Sequence, residues 1–215
     1  MKGLFSPDNP VMKFIVKIGY IWYLNILWLV TSLPLITIGA STTALIYSSM
    51  KLLKDDGYPT QNFFKSFKEN FRQSTAIWLI YLAVGALLAL DLVAWNKQGQ
   101  NVNFAQGLVF AILILYMLSF TYVFAIQSKF VNPVISTIRF SFTLPFKHFK
   151  ETILMVVVEV VVIYLNVTTI FAVNFVTLNF GLGLIAYLFA VYYRKVFENY
   201  IPGQEETDLD DQEIL

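Results

Sequence analysis

Charge-free stretches long enough to cross a bilayer alternate along this chain with short amphipathic ones. Ile18–Ile36 carries no charge over 19 residues, about the length a hydrocarbon core requires. Trp22, Tyr23 and Trp28 lie inside it. This apolar run exceeds the about 7–15 residues of a secretory signal core, and Gly39-Ala40-Ser41 is a weak cleavage site, so the pattern predicts an uncleaved span. Pro34 and Gly39 are expected to end it, and Ser41 or Thr42 to cap a new helix through its hydroxyl. That helix runs to about Lys54, too short to cross, and is expected to lie in the interface or pack under the bundle. Asp55-Asp56-Gly57-Tyr58-Pro59 closes it as a loop. Gln73–Leu90 follows as a second span of 18 uncharged residues, then a polar loop over 96–103, then a third span over Phe104–Gln127. Lys129–Thr143 places Phe130, Val134, Ile138 and Phe142 on one side and predicts a second amphipathic interfacial helix. Thr152–Tyr193 holds one charge in 42 residues. As a straight helix it would measure about 63 Å, twice the hydrocarbon thickness, so it must fold back. The polar cluster Asn174, Thr177 and Asn179, ahead of Gly181, is the expected turn between spans at 152–172 and 178–194.

A six-residue phrase occurs twice. Phe64-Lys65-Ser66-Phe67-Lys68-Glu69 returns as Phe146-Lys147-His148-Phe149-Lys150-Glu151, each time ahead of a long apolar segment. Rings on one helix face and lysines on another suit a headgroup boundary. The phrase therefore predicts two membrane thresholds, at Phe64, Lys65, Phe67, Lys68 and Arg72, and at Arg139, Phe146, Lys147, Phe149 and Lys150. These residues are candidates for contact with anionic lipid or a protein partner. The expected fold is an all-α polytopic membrane helix bundle. It has about five transmembrane helices, two short amphipathic interfacial helices, and a tandem two-span repeat (about 14–95 and 104–173) closed by a fifth span (178–194). Residues 1–200 form one membrane domain.

Composition agrees. Hydrophobic residues make up 57% and charged residues 13% of the chain, against about 25% charged in soluble domains. The net charge of +1 hides an asymmetry: Glu205–Leu215 holds six acids and no base, and this 201–215 tail is expected to be disordered. Lysine and arginine gather at 51–72, 128–151 and Arg194-Lys195, and basic loops mark the cytoplasmic side. Five spans then place the C-terminus in the cytoplasm and the N-terminus outside. Lys2, Lys13 and Lys17 pull the other way, and a sixth crossing by Leu33–Leu53 would satisfy them.

The chain has no cysteine and a single histidine, His148, which argues against a zinc site. No serine sits in a nucleophile motif, so no catalytic, metal or cofactor-binding residue is expected. The phenylalanines of the basic loops favour lipid over nucleic acid. Glu159 is the one acid well inside a span. Such a group costs about 2.5–3.5 kcal/mol to insert, so it is a candidate proton or cation site. Asn166 shares its face and Asn25 could join a polar seam, although helix-to-helix hydrogen bonding is the commoner use of such amides. Asp91 reads as a solvated helix end. Gly85 and Gly181-x-Gly183 read as places of close helix contact.

Three stretches then stand out together: Asn25-Ile26-Leu27-Trp28-Leu29, Ser32-Leu33-Pro34-Leu35-Ile36-Thr37-Ile38-Gly39-Ala40-Ser41-Thr42-Thr43-Ala44-Leu45, and Phe63-Phe64-Lys65-Ser66-Phe67-Lys68-Glu69-Asn70-Phe71. In this order they resemble the signature of the YesL-like bacterial membrane proteins. The resemblance covers most of the first 95 residues in detail and the rest in layout. It implies a plasma-membrane protein of unknown molecular function, common in Gram-positive bacteria and often encoded beside sugar-uptake transporters and glycan-degrading enzymes; it supplies no site residues. The expected role is a non-enzymatic accessory or regulator of carbohydrate uptake that contacts a sugar-transporter subunit. The alternative is a small autonomous transporter with a protonatable Glu159.

Overall fold

A computed structural model describes residues 10–98, 104–168 and 171–200. The acidic tail and residues 99–103 of the polar loop lie outside them. The described residues form helices and no strand: α1 (Pro10–Thr31), a 3-10 turn (Leu35–Thr37), α2 (Ile38–Leu53), α3 (Pro59–Gln98), α4 (Phe104–Lys129), α5 (Val134–Lys147), α6 (Phe149–Thr168), α7 (Phe171–Val176), a π-helical segment (Thr177–Gly181) and α8 (Leu182–Glu198). Five helices are long and apolar enough to cross a membrane: Val11–Thr31, Pro59–Trp95, Phe104–Lys129, Phe149–Thr168 and Asn174–Glu198. The all-α polytopic bundle read from the charge-free runs is the fold observed. Its outward surface is apolar along most of these helices, with Leu87, Leu90, Phe104, Ile114 and Val167 among the exposed side chains. Such a surface suits hydrocarbon and would be a liability in water.

The core forms where α2, the first part of α3, the second half of α4 and α8 meet. Ile46, Ile77, Tyr122, Phe124, Ile126, Met155, Phe189, Tyr193 and Phe197 pack together there. Every residue from Thr121 to Ser128 is buried, so this part of α4 has protein on all sides. The same is nearly true of α2, whose residues from Ser41 to Ser49 are buried apart from Thr42. Neither the interface nor a place under the bundle, the two positions expected of this short amphipathic helix, is where it lies: it packs within the bundle. Two of its buried hydroxyls are satisfied within the helix, Ser41 Oγ donating to Thr37 O (3.1 Å) and Thr43 Oγ1 to Gly39 O (3.0 Å), while Ser48 Oγ is buried without a partner. Such bonds to the preceding turn satisfy a hydroxyl inside its own helix.

Several boundaries differ from those expected. Pro34 does lie outside α1, but Gly39 lies inside α2 and breaks nothing. A Cβ there would meet the Ser74 carbonyl and stand 2.6 Å from Trp78 Cβ, so the glycine lets α2 and α3 touch. Ser41 and Thr42 are not caps, since α2 already starts at Ile38. The second short helix starts at Val134, after Pro133, rather than at Lys129, and runs through Pro145 to Lys147. The turn expected at 174–179 is helical. The polar cluster is carried in α7 and the π segment.

The repeated phrase takes two different forms. In its first occurrence it lies within α3, a single helix of 40 residues and about 60 Å. In its second it straddles the break at His148 between α5 and α6. The connections explain the difference. Lys54–Tyr58 is long enough for an antiparallel helix pair, which needs about 2–5 loop residues, and α3 folds back along α2. A lone His148 is not, and α5 packs chiefly on α4 instead.

The described start of α1 lies at the same end of the bundle as the α2–α3 turn. Lys17 Nζ pairs with Asp55 (3.0 Å), and Thr60 Oγ1 donates to Tyr23 OH (3.2 Å).

Candidate functional site

Glu159 projects from α6 into a cavity of about 130 Å³. Trp28 of α1, Thr42 and Ile46 of α2, Thr121 of α4, and Ile185 and Tyr193 of α8 are among the residues that close it. Most of the wall is apolar. Thr121 Oγ1 stands 3.1 Å from each carboxyl oxygen of Glu159 and 3.0 Å from its own Met117 carbonyl. A hydroxyl has one proton, so two patterns fit these distances. With Glu159 ionised, Thr121 donates to it. With Glu159 protonated, the acid donates to Thr121 Oγ1 while Thr121 donates to Met117 O. Thr121 can thus serve either protonation state without a change of rotamer. The Tyr193 hydroxyl donates to the Thr121 carbonyl, and Trp28 Nε1 donates to Thr42 Oγ1 (3.1 Å). The Thr42 hydroxyl is thus held from α1, and the backbone of Thr121 from α8.

Asn25 is fully buried, at 0% exposure, and serves another purpose. Its Nδ2 donates to Leu178 O (2.9 Å) and Asn179 O (2.7 Å), and its Oδ1 accepts from the Gly183 N–H (2.8 Å). In an unbroken α-helix those two carbonyls would accept from the N–H groups of 182 and 183. The π segment disturbs that ladder, and the Asn25 amide occupies the gap from the adjacent helix. Gly183 makes this possible, because a Cβ would stand 2.7 Å from Ile21 O and 2.9 Å from Asn25 Cβ. Close helix contact at Gly183, expected from the sequence, is what the structure has.

Asn166 bonds back to Val162 O (2.7 Å) and approaches Thr177 Oγ1 (3.4 Å). Glu159, Asn166 and Asn25 therefore have different partners and do not form one seam. Asp91 is exposed.

At the first threshold, Phe63 stacks on Phe67 (centroids 6.3 Å apart) and Phe67 meets Phe71 edge to face (5.5 Å) along α3. Phe63 is buried in the protein and Phe67 half-buried, so Phe67 lies against the bundle rather than free among acyl chains. Phe64, Lys65, Lys68 and Arg72 are exposed. At the second, Phe146 and Phe149 are 59% and 61% exposed, and Lys150 and Arg139 are also exposed. Lys147 sits over the Tyr200 ring (5.6 Å), whose hydroxyl meets His148 Nε2 (3.1 Å). Burial raises the Tyr200 phenol above its ordinary value. Glu151 pairs with Lys195 (2.7 Å).

Two polar clusters escaped the sequence reading. Tyr81, Ser119 and Ser141 join α3, α4 and α5 through their hydroxyls, with Tyr81 and Ser119 each bonded to Ser141 at 3.1 and 2.6 Å and to one another. Gln127 Nε2 donates to Asn70 Oδ1 (3.0 Å) and Gln73 Oε1 (2.8 Å), while its Oε1 accepts from Thr137 (3.3 Å). The available signal was an amide or hydroxyl at intervals along otherwise apolar spans, which names the residues but not their partners.

A family model described as "Protein of unknown function, DUF624" matches residues 21–92. This region covers the second half of α1, all of α2 and most of α3, and so includes Asn25, Gly39 and the first threshold. "Uncharacterized protein YesL" of Bacillus subtilis (strain 168) is 27% identical over 164 residues, covering 72% of this chain and 76% of that protein. No solved structure matches. Both comparisons support the resemblance carried by the three motifs: the chain is similar to the YesL-like proteins, a family whose function is unknown.

Proposed function

We propose that the protein is a non-enzymatic accessory component of carbohydrate uptake in the plasma membrane of a Gram-positive bacterium, with its basic thresholds and C-terminus in the cytoplasm. The carbohydrate link comes from the family resemblance alone. The cavity size supports the accessory part of this reading. At about 130 Å³ it falls well below the about 300–1,000 Å³ of small-molecule pockets. It has room for water or a small cation, and a saccharide would require the helices to part. On this reading a partner permease handles the sugar, and the exposed Lys65, Lys68, Lys147 and Lys150 lie on the faces that reach it. Crosslinking through these lysines in native membranes, read by mass spectrometry, is expected to give reproducible links to a sugar-permease subunit. Links confined to the protein itself would refute the accessory role.

Glu159 favours a second reading, a small autonomous proton- or cation-coupled transporter. Thr121 accommodates both protonation states of the carboxyl at the edge of a cavity, as a proton-accepting group requires. In proteoliposomes containing a pH-sensitive dye, Glu159→Gln is expected to abolish proton movement while leaving the folded bundle intact. Unchanged proton movement would remove Glu159 from any such mechanism.

A further inference from the structure

We infer that α1 and α2 form a re-entrant hairpin. It enters the bilayer from the face that carries the α2–α3 turn, reverses inside the hydrocarbon at Thr31–Thr37, and returns to the same face, with lipid acyl chains as the partner of its tip. Neither the family match nor either functional reading assigns this arrangement.

Four observations lead there. The two ends of the hairpin are together, as the Lys17–Asp55 pair (3.0 Å) and the Thr60–Tyr23 bond (3.2 Å) require. The hairpin also stops short: Trp78 Nε1 donates to Leu35 O (2.8 Å), and Trp78 stands midway along α3. Beyond it, Leu79–Leu90 continues without a charge before Asp91. Twelve residues of helix put the tip about 18 Å short of Asp91, measured along α3, within a hydrocarbon layer of about 30 Å. Next, the tip is apolar and faces outward, with Leu33 79% and Leu35 72% exposed and Ile36 beside them. A loop emerging into water has no need of such a surface.

The last observation concerns the backbone. Non-helical backbone at membrane depth must be satisfied by protein. Ser32 N bonds to Trp28 O (2.9 Å), Leu33 N to Val30 O (3.4 Å) and Thr37 N to Pro34 O (2.9 Å). Pro34 has no N–H to satisfy. The Thr37 hydroxyl lies within bonding distance of both Thr31 O (2.5 Å) and Pro34 O (2.7 Å), and Trp78 serves Leu35 O. The turn is thus bonded largely from within, with one indole reaching in from α3. Among the described residues, Ser32 Oγ is an exception without a partner.

Because the chain has no cysteine, single cysteines can be labelled against a clean background. Lys13→Cys, Leu35→Cys, Tyr58→Cys and Asp91→Cys would each be treated with a membrane-impermeant maleimide, on right-side-out and on inside-out vesicles. Lys13→Cys and Tyr58→Cys are expected to label from one face and Asp91→Cys from the other. Maleimide reacts with the thiolate, which hydrocarbon does not support, so Leu35→Cys is expected to label at least about tenfold less than Tyr58→Cys from either face. It should then label fully once detergent dissolves the membrane. Labelling of Leu35→Cys from the Asp91 face would mean that α1 and α2 both cross. Its labelling from the Tyr58 face would place the tip in water on that side. Lys13→Cys labelling opposite Tyr58→Cys would mean that α1 alone crosses. Each of these three results overturns the re-entrant hairpin.

Discussion

Replacing Asn25 by leucine keeps the number of side-chain heavy atoms and removes every polar contact of the amide. Leu178 O, Asn179 O and the Gly183 N–H lose their partner at once. The site is fully buried, so water does not replace it. A hydrogen bond between membrane helices contributes about 0.6–2 kcal/mol, which for three bonds is about 2–6 kcal/mol. At about 2–4 °C per kcal/mol for a chain of this size, the unfolding midpoint in mild detergent should fall by at least about 4 °C. Asn166→Leu is the matched control, because that amide bonds chiefly to Val162 O of its own helix. It should shift the midpoint by about a third as much as Asn25→Leu, one bond against three. Midpoints would be read from the loss of monodisperse protein on size-exclusion chromatography after graded heating. If Asn25→Leu lies within about 2 °C of the unaltered protein, the Asn25 contacts with the π segment do not hold α1 to α8.

Two further substitutions test the packing. Gly183→Ala drives a Cβ against Ile21 O and Asn25 Cβ of α1 and should cost about 1–3 kcal/mol by overpacking. Gly107→Ala meets nothing within 4 Å and should be neutral or slightly stabilising by helix propensity; equal midpoints for the two would refute the close contact. Tyr81→Phe removes one of three hydroxyls but leaves Ser119 and Ser141 bonded to each other, so its cost should be only about 1 kcal/mol; a collapse of the fold would show that the hydroxyl holds more than this cluster.

The long apolar helices were legible because a bilayer demands runs nearly free of charge: those in α1, α3, α4 and α8 hold none, and that in α6 holds only Glu159. The position of α2 was not. Ser41 and Thr43 look polar in the sequence, but hydroxyls that bond to the preceding turn or to a neighbour, as Thr43 does to Ser74 (2.9 Å), can be buried at little cost. The turn expected at 174–179 failed for a related reason. Asn179 and its neighbours resemble loop residues, and only the arrival of Asn25 from a distant helix explains why they remain helical. Lys65, Lys68 and Arg72 likewise hid the continuity of α3, because charge marks where a helix leaves the hydrocarbon and not where it ends. Glu159 was visible as the one acid within a span. Its partner Thr121 was not, since a threonine in an apolar helix carries no sign of what it faces.

The enclosure of α2 has a consequence for how the chain is made. Synthesis runs from the N-terminus, so α2 leaves the ribosome before α3, α4 and α8, which form most of its surroundings. Until α8, the last of these helices, has been delivered, one side of α2 has no permanent neighbour, and its hydroxyl-bearing surface must be held at the membrane edge or by the insertion machinery. The bundle therefore closes late, when the final helix slides in beside the second. A chain that ends before α8 does not merely lack one helix; its centre stays open.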